Sequence, residues 1–248
     1  MCPGFCPGHY QWGGAGLINF IKKIAFLTPR FDLGNDAFMN YWEHTHGPLV
    51  GSSTGYSEWR WRYVQNHPVG PGPGGGPFAF LGIAEFWLPL RAPSEEEYVS
   101  SSIYRDRIAV DEDQFIDKKA TLSLRAHEQV LLNGDGPIKI MRFGTYSKYN
   151  AETVLKALLE DLKSECQAAE LRGWRVDHVI SGSTRLPGAE AATGLDFDYV
   201  ESLYFDSVCD AEKYMQAAEF IRATIFDGQA TSLYVRERVF LKNGVFQG

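Results

Sequence analysis

Phe38 to Val50 read FMNYWEHTHGPLV, a stretch that combines a helix face, a helix stop and the most reactive side chains of the chain. Asn35 or Asp36 can cap a helix start. Phe38, Tyr41, Trp42 and Thr45 then recur at i, i+3, i+4 and i+7, the spacing of one buried helical stripe. Gly47 and Pro48 are expected to end the helix. His46 would then lie in the last turn, where the partial negative charge of the helix end favours an imidazolium. The plainer reading is a histidine that only bonds the last carbonyls. His44 is expected on the solvent side.

Working outward, Phe20 to Leu27 (FIKKIAFL) reads as a first strand closed by Thr28-Pro29. Trp59 to Asn66 (WRWRYVQN) alternates and reads as a second. Trp61, Tyr63, Gln65 and His67 share one of its faces, and Arg60, Arg62, Val64 and Asn66 the other. The glycines of Pro68 to Pro77 lack the Lys-Ser/Thr and helix start of a phosphate loop, so a mobile loop over a cleft mouth is expected. Phe78 to Trp87 makes a third strand with Ile83, Glu85 and Trp87 on one face, ended by Pro89. Ser94 with Glu97 is a capping box that opens a second helix through about Ile108. A short helical turn around Asp113 to Lys119 and a fourth strand, Leu122 to Leu132, complete the split βαβ order of ferredoxin-like domains.

That order recurs. Ile138 to Phe143 reads as a strand, and Asn150 caps a helix with an apolar stripe of Val154, Leu155, Leu158, Leu159 and Leu162. Gly173 to Ile180 is a strand, Asp198 to Phe205 matches Leu81 to Leu88, Ser207 with Asp210 repeats the capping box, and Thr231 to Leu241 matches Thr121 to Leu131. Offsets between matched positions run from 109 (Glu237 with Glu128) to 117 (Arg222 with Arg105), as insertions in loops produce. A duplicated domain is the simplest account. The expected fold is α+β: two ferredoxin-like βαββαβ repeats, residues 20–134 and 135–248, forming an intramolecular pseudo-dimeric α/β barrel behind an N-terminal arm, 1–19. Each repeat covers the other's open sheet face. A further homodimer is compatible but not required.

Candidate chemistry concentrates in the first repeat. His46, Tyr63, His67, Glu85 and His127 form the candidate catalytic constellation, with Tyr41, Trp42, Trp61 and Trp87 as a wall for a flat ligand, although such aromatics are first of all core. A histidine beside a carboxylate or a second histidine suits proton removal next to a carbonyl, and Tyr63 could hold a phenolate or enolate oxygen. In the second repeat His46 lines up with Asp161 or Leu162, Glu85 with Ser202, Trp87 with Tyr204 and His127 with Arg236. Bland readings stand beside these. His67 next to Pro68 could be a strand-end turn residue, His127 with Glu128 an exposed strand pair, and His178 a remnant of the ancestral strand. A buried Glu85 needs a partner, and Arg62 or Arg125 would make it structural.

The pattern carried by Phe38, Tyr41, Trp42, His46, Gly47, Pro48, Leu49 and Val50 resembles the first-helix signature of the EthD family, within the dimeric α/β-barrel group. Tyr63 to His67 (YVQNH), Ala84 to Leu88 (AEFWL), and Tyr104-Arg105 followed by Asp111, Phe115 and Asp117 agree with it in order, so that the resemblance covers Ile21 to Leu132. It implies that His46 is the acid/base histidine and that His67 matches the family's Gln-Asn-His. It also implies a cofactor-independent lyase, a decarboxylase, dehydratase or cyclase, acting on a small aromatic or polyketide-like ligand. A cofactor-free monooxygenase of a phenol, or a non-catalytic binding protein for an aromatic metabolite or an oxygenase, are the alternatives.

Composition narrows the classes. A net charge of −7 over 248 residues, without basic clusters among aromatics, argues against nucleic acid as a partner. The 44% hydrophobic and 14% aromatic content can fill sizeable cores. Cys2, Cys6 and His9 could be written as a zinc half-site, but no second pair follows, and reduced cytosolic thiols, with Cys166 and Cys209, are the plainer account. Met1 to Gly16 suits an extended or disordered arm. Neither a signal-peptide pattern nor an apolar run of about 18 residues is present, so no membrane partner and a cytoplasmic location are expected. No metal triad, nucleotide fingerprint or haem motif is found, and no cofactor is expected.

Overall fold

The computed structural model describes residues 20–76, 78–90, 92, 94–145, 153, 170–180, 197–225 and 231–247. Its frame is eight strands: β1 (Phe20–Leu27), β2 (Arg62–Pro71), β3 (Gly82–Pro89), β4 (Leu122–Leu132), β5 (Ile138–Gly144), β6 (Leu171–Val179), β7 (Tyr199–Phe205) and β8 (Thr231–Lys242). They pair antiparallel in the order β2-β3-β1-β4-β6-β7-β5-β8, and β2 also pairs with β8, so the sheet closes into a barrel with no free edge. The short β9 (Val245–Phe246) adds to β8. The molecule is thus an α+β protein around a closed antiparallel barrel. Strands β1 to β4 lie in the order β2-β3-β1-β4, and β5 to β8 in the order β6-β7-β5-β8.

Closure explains why β1 does not alternate. Ile24 and Phe26 point into the barrel, with Leu122, Leu124, Met141, Phe143, Val200 and Leu233. Ala25 and Leu27 point outward beneath the helices, with Phe38, Trp42, Tyr63 and Phe115. A strand buried on both faces reads as a continuous apolar run. The two lysines inside that run, Lys22 and Lys23, are buried as well, one on each face.

The first helix departs from expectation at its C-terminal end. α1 (Asn35–Tyr41) runs through one π turn, Trp42–His46, into α2 (Gly47–Gly51). Gly47 and Pro48 do not stop it. In the π turn the Gly47 N–H bonds back to the Trp42 carbonyl five residues earlier. That wider turn accommodates a proline with no N–H to donate and a ring that would crowd a regular helix. The extra residue also rotates the buried stripe, so Thr45 faces solvent and His46 faces inward. His46 is therefore mid-helix, and the expected effect of a helix end on it does not apply. Gly47 has a packing role: a Cβ there would collide with the Phe240 ring of β8.

Two other expectations shift. Pro68 to Pro71 extend β2 along β8, and beyond them the Gly72 N–H donates to the Ser232 carbonyl at 2.9 Å while Ser232 Oγ donates to the Pro73 carbonyl at 2.6 Å. The start of the Gly-rich stretch is strand and strand-bound turn, because the second half supplies the backbone that it pairs with. The capping box is present, but its helix α3 (Glu95–Ser100) ends where Ser101 is extended, and the chain re-enters helix in a π turn, Tyr104–Ile108, continued by α4 (Ala109–Phe115). In the second half α5 (Val208–Ile225) follows β7, and Ser207 Oγ accepts from the Asp210 N–H at 3.1 Å. The Asn150 helix, the N-terminal arm with Cys2, Cys6 and His9, and Cys166 lie outside the described residues. Among those described, no helix is long and apolar enough to cross a membrane.

Candidate active site

His46 is held between the helices and the outer face of the sheet. Its Nδ1 lies 2.6 Å from Asp111 Oδ2, and Asp111 Oδ1 accepts from the Tyr41 hydroxyl at 2.7 Å. Because a carboxylate only accepts, Nδ1 carries the proton and Nε2 is left as the basic nitrogen. Burial pushes the Asp111 carboxyl up, but the bonds from His46 and Tyr41 outweigh it and hold the group below its usual range. The Tyr41 hydroxyl is pushed up to about 12 by burial and by Asp111. Asp111 and Phe115, one turn apart on α4, embrace the imidazole: the Phe115 ring centre is 4.9 Å from that of His46.

His46 lines a small, partly open space of about 30 Å³ with Lys23, Arg60, Glu95 and Glu112, walled by Tyr56, Phe86, Tyr98 and Tyr104. In this conformation the space suits about one water molecule. The charged groups arrive from four elements: Lys23 on the outer face of β1, Arg60 before β2, Glu95 on α3 and Glu112 on α4. The Tyr104 hydroxyl donates to Glu112 Oε2 at 2.8 Å.

The other expected residues are not brought together with His46, apart from Tyr63. The Tyr63 ring centre is 6.4 Å from that of His46, but its oxygen already accepts from Gln65 Nε2 at 2.7 Å and burial drives its ionisation far up. Gln65 Nε2 also donates to the Trp42 carbonyl at 2.8 Å, which props the π turn, and its Oε1 receives His67 Nε2 at 3.0 Å. His67 lies against the Trp42 ring at 4.6 Å, and burial pushes its pKa down to about 4 with help from Arg236, so it is neutral. It belongs to the buttress of the helix and does not line the cavity.

Glu85 and His127 lie elsewhere. Glu85 points into the barrel because side chains alternate along β3, and its partners are lysines, not the arginines expected. Its Oε1 is 2.6 Å from Lys22 Nζ and its Oε2 is 3.0 Å from Lys139 Nζ. Lys22 also reaches Asp177 at 2.7 Å and Glu128 at 3.1 Å, and Lys139 reaches Glu237 at 2.8 Å and Asn66 Oδ1 at 2.7 Å. Two ammonium groups thus face four carboxylates, and burial pushes Asp177 up to about 7 against the attraction of Lys22. His127 is exposed opposite His178, while Glu128 turns inward. None of the four expected wall aromatics lines the cavity. Trp42 is core, Tyr41 stands behind Asp111, Trp61 is at the surface stacked on Phe20, and Trp87 donates to Glu128 at the barrel end.

Sequence reasoning passed over Asp111, Lys23, Arg60, Glu95 and Glu112 as site residues. Two signals were present: lysines side by side in an apolar strand require buried partners on both faces, and Asp111 with Phe115 recurs at i, i+4 in a stretch already singled out.

These positions coincide with a known family. Residues 31–119 match the EthD domain family model. The EthD segment begins just after β1 and ends just before β4, so it contains His46, Arg60, Glu95 and Asp111, while Lys23 precedes it. Three solved structures share the fold along most of the chain. A candidate monooxygenase from Lactobacillus acidophilus is 11% identical, with TM-score 0.53 over 93% of this chain and 97% of its own. An anthrone oxidase-like protein is 12% identical, with TM-score 0.56 over 89% and 93%. A candidate monooxygenase from Fusobacterium nucleatum is 6% identical, with TM-score 0.56 over 92% and 96%. At such identities the likeness is one of fold. No curated protein matches the chain.

Proposed function

We propose that the first half is a cofactor-independent acid/base enzyme, a decarboxylase, dehydratase or cyclase, acting on a small aromatic or polyketide-like substrate with His46 as the base. The observation that carries this reading is the 2.6 Å bond from His46 Nδ1 to Asp111. The carboxylate fixes the tautomer and the ring orientation, and it would stabilise the imidazolium formed when Nε2 takes a proton from a phenol or from a carbon next to a carbonyl. The same proton then returns to the carbon or leaves with the departing group. The aromatic walls suit a flat ring, and admitting one requires the 30 Å³ space to widen. Two ferredoxin-like βαββαβ repeats, a tandem pseudo-dimer, account for the matching strand orders of the two halves, with the site kept in one of them.

A second reading is supported by the names of the solved structures, two candidate monooxygenases and an anthrone oxidase-like protein. The same deprotonation makes a ring electron-rich enough to react with oxygen, one atom entering the substrate and the other leaving as water on the substrate's own electrons. Oxygen consumption during turnover of a panel of phenolic and polyketide-like acids separates the two. Turnover without oxygen uptake supports the lyase. If His46→Ala, folded as the parent, leaves the rate unchanged, both readings fail and the chemistry lies elsewhere; if no compound of the panel is turned over, a binding protein for such compounds remains.

A further inference from the structure

Within the same cavity two buried cations share a single carboxylate. Lys23 Nζ is 2.6 Å from Glu95 Oε1, and Arg60 Nη2 is 3.1 Å from each Glu95 oxygen. Lys23 and Arg60 are 3% and 4% exposed, whereas the Glu95 side chain retains 20%. The Arg60 guanidinium lies over the Tyr98 ring, 4.1 Å from its centre. The remaining wall carboxylate, Glu112, is engaged at Oε2 by the Tyr104 hydroxyl and by Lys118 at 3.3 Å. Among the described residues Glu95 is the one carboxylate within hydrogen-bond reach of either cation, so an anion that takes its place would meet both. Burial, only partly offset by Glu95, together with the nearby Arg60, holds the Lys23 ammonium below its usual range.

Glu95 sits on the shortest well-capped element around the cavity. α3 has six residues, the Ser94 and Glu97 capping box at one end and an extended Ser101 (φ −67°, ψ 149°) at the other. Glu95 and Tyr98 therefore travel together. Displacing this one turn and a half withdraws the carboxylate and opens the aromatic wall at once.

We propose that Lys23 and Arg60 form a carboxylate-binding subsite, filled in this structure by the Glu95 side chain, and that the substrate is an aromatic or polyketide-like acid whose carboxylate displaces it. This rests on the cavity being the active site and narrows its substrates to anions. The ring would lie against Tyr56, Phe86 and Tyr98, with His46 on the same wall. The substrate's carboxylate then replaces an internal one, so no charge is buried without a counter-charge.

Calorimetric titration of the full chain with 4-hydroxybenzoate and with phenol tests this. The acid is expected to bind at least tenfold more tightly than phenol, Glu95→Gln to raise the affinity for the acid and not for phenol, and Lys23→Met to abolish the preference. Equal affinities overturn the subsite, as does an absence of 4-hydroxybenzoate binding to both the parent and Glu95→Gln. Should Glu95→Gln fail to fold, Glu95→Asp, whose shorter reach loosens the contact, must show the same gain, and its absence overturns the proposal. Binding is read without turnover. An enzyme that works through His46 but shows no acid preference sinks the subsite alone, and an acid preference that persists while His46→Ala keeps full turnover sinks the catalytic reading alone.

Discussion

The inner and outer faces of the barrel treat the two halves differently. Inside, the halves mirror each other: Lys22 lies over the Trp87 ring and near Glu128, and Lys139 lies over the Tyr204 ring and near Glu237. Trp87 donates to Glu128 at 3.0 Å, and Tyr204 donates to Glu237 at 3.0 Å. Outside they diverge. Lys23 pairs across from Phe86, and the equivalent register position in the second half is Ile140, across from Leu203. Glu95, the residue after the Ser94 cap, has Val208 as its counterpart after Ser207. The described outer face of the second half carries Ile140, Trp174, Leu203, Phe205 and Tyr214, with the buried Arg142–Glu201 pair beside them. The difference teaches that the lysine, aromatic and glutamate set inside the barrel recurs in both halves, whereas beneath the helices the Lys23–Arg60–Glu95 cluster of the first half is not repeated among the described residues of the second, which carry the Arg142–Glu201 pair on that face instead.

Four experiments break or sharpen that comparison. The largest effect is expected for His46→Ala, with turnover reduced about 10²- to 10⁴-fold, the usual contribution of a positioned general base, and the melting curve preserved. An undiminished kcat/KM would place the chemistry elsewhere. Next is Glu85→Gln on the inner face. It removes the carboxylate that contacts both Lys22 and Lys139, and a loss of roughly 3–5 kcal/mol in denaturant-unfolding free energy is expected. A loss below about 1 kcal/mol would mean that the remaining carboxylates suffice.

The third concerns pH. The Asp177 carboxyl is pushed up to about 7, above its ordinary value. Between about 4 and 7 the folded state therefore binds a proton that the unfolded chain does not. The stability that Asp177 contributes is complete at the acid end and is lost as pH rises to about 7, at no more than about 1.4 kcal/mol per pH unit. His67, pushed down to about 4, acts in the opposite sense: its contribution is present above about 6.5 and is lost as pH falls toward 4. Comparison of the parent with Asp177→Asn across this window isolates the first effect, and parallel curves would refute it. The smallest effect is expected at Ser202, the counterpart of Glu85. Its buried hydroxyl makes no hydrogen bond among the described residues, so Ser202→Ala should change stability by less than about 0.5 kcal/mol or raise it slightly.

Much of the architecture was legible in local pattern. The strands β1 and β4 were readable to the residue, the capping box at Ser94 was readable, and the EthD pattern in the first half placed His46 on its helix. These depend on neighbours one to four positions apart, which a sequence displays directly. The faces of β2 were legible for the same reason: Tyr63, Gln65 and His67 do share one side.

What lay beyond the sequence was every choice made by distant segments. Whether Gly47 and Pro48 end a helix depended on a π turn propped by Gln65 and on the Phe240 ring from β8. Whether Glu85 belonged with His46 or with Lys139 depended on which side of a closed barrel was inside. The sequence by itself determined the strands and the caps, because these follow from residue period and backbone preference. Only the tertiary structure decided that Asp111 fixes His46, that Lys22 and Lys23 serve opposite faces, and that Glu95 fills the cation pair, because burial turns a charge into an obligation to find a counter-charge wherever the fold brings one.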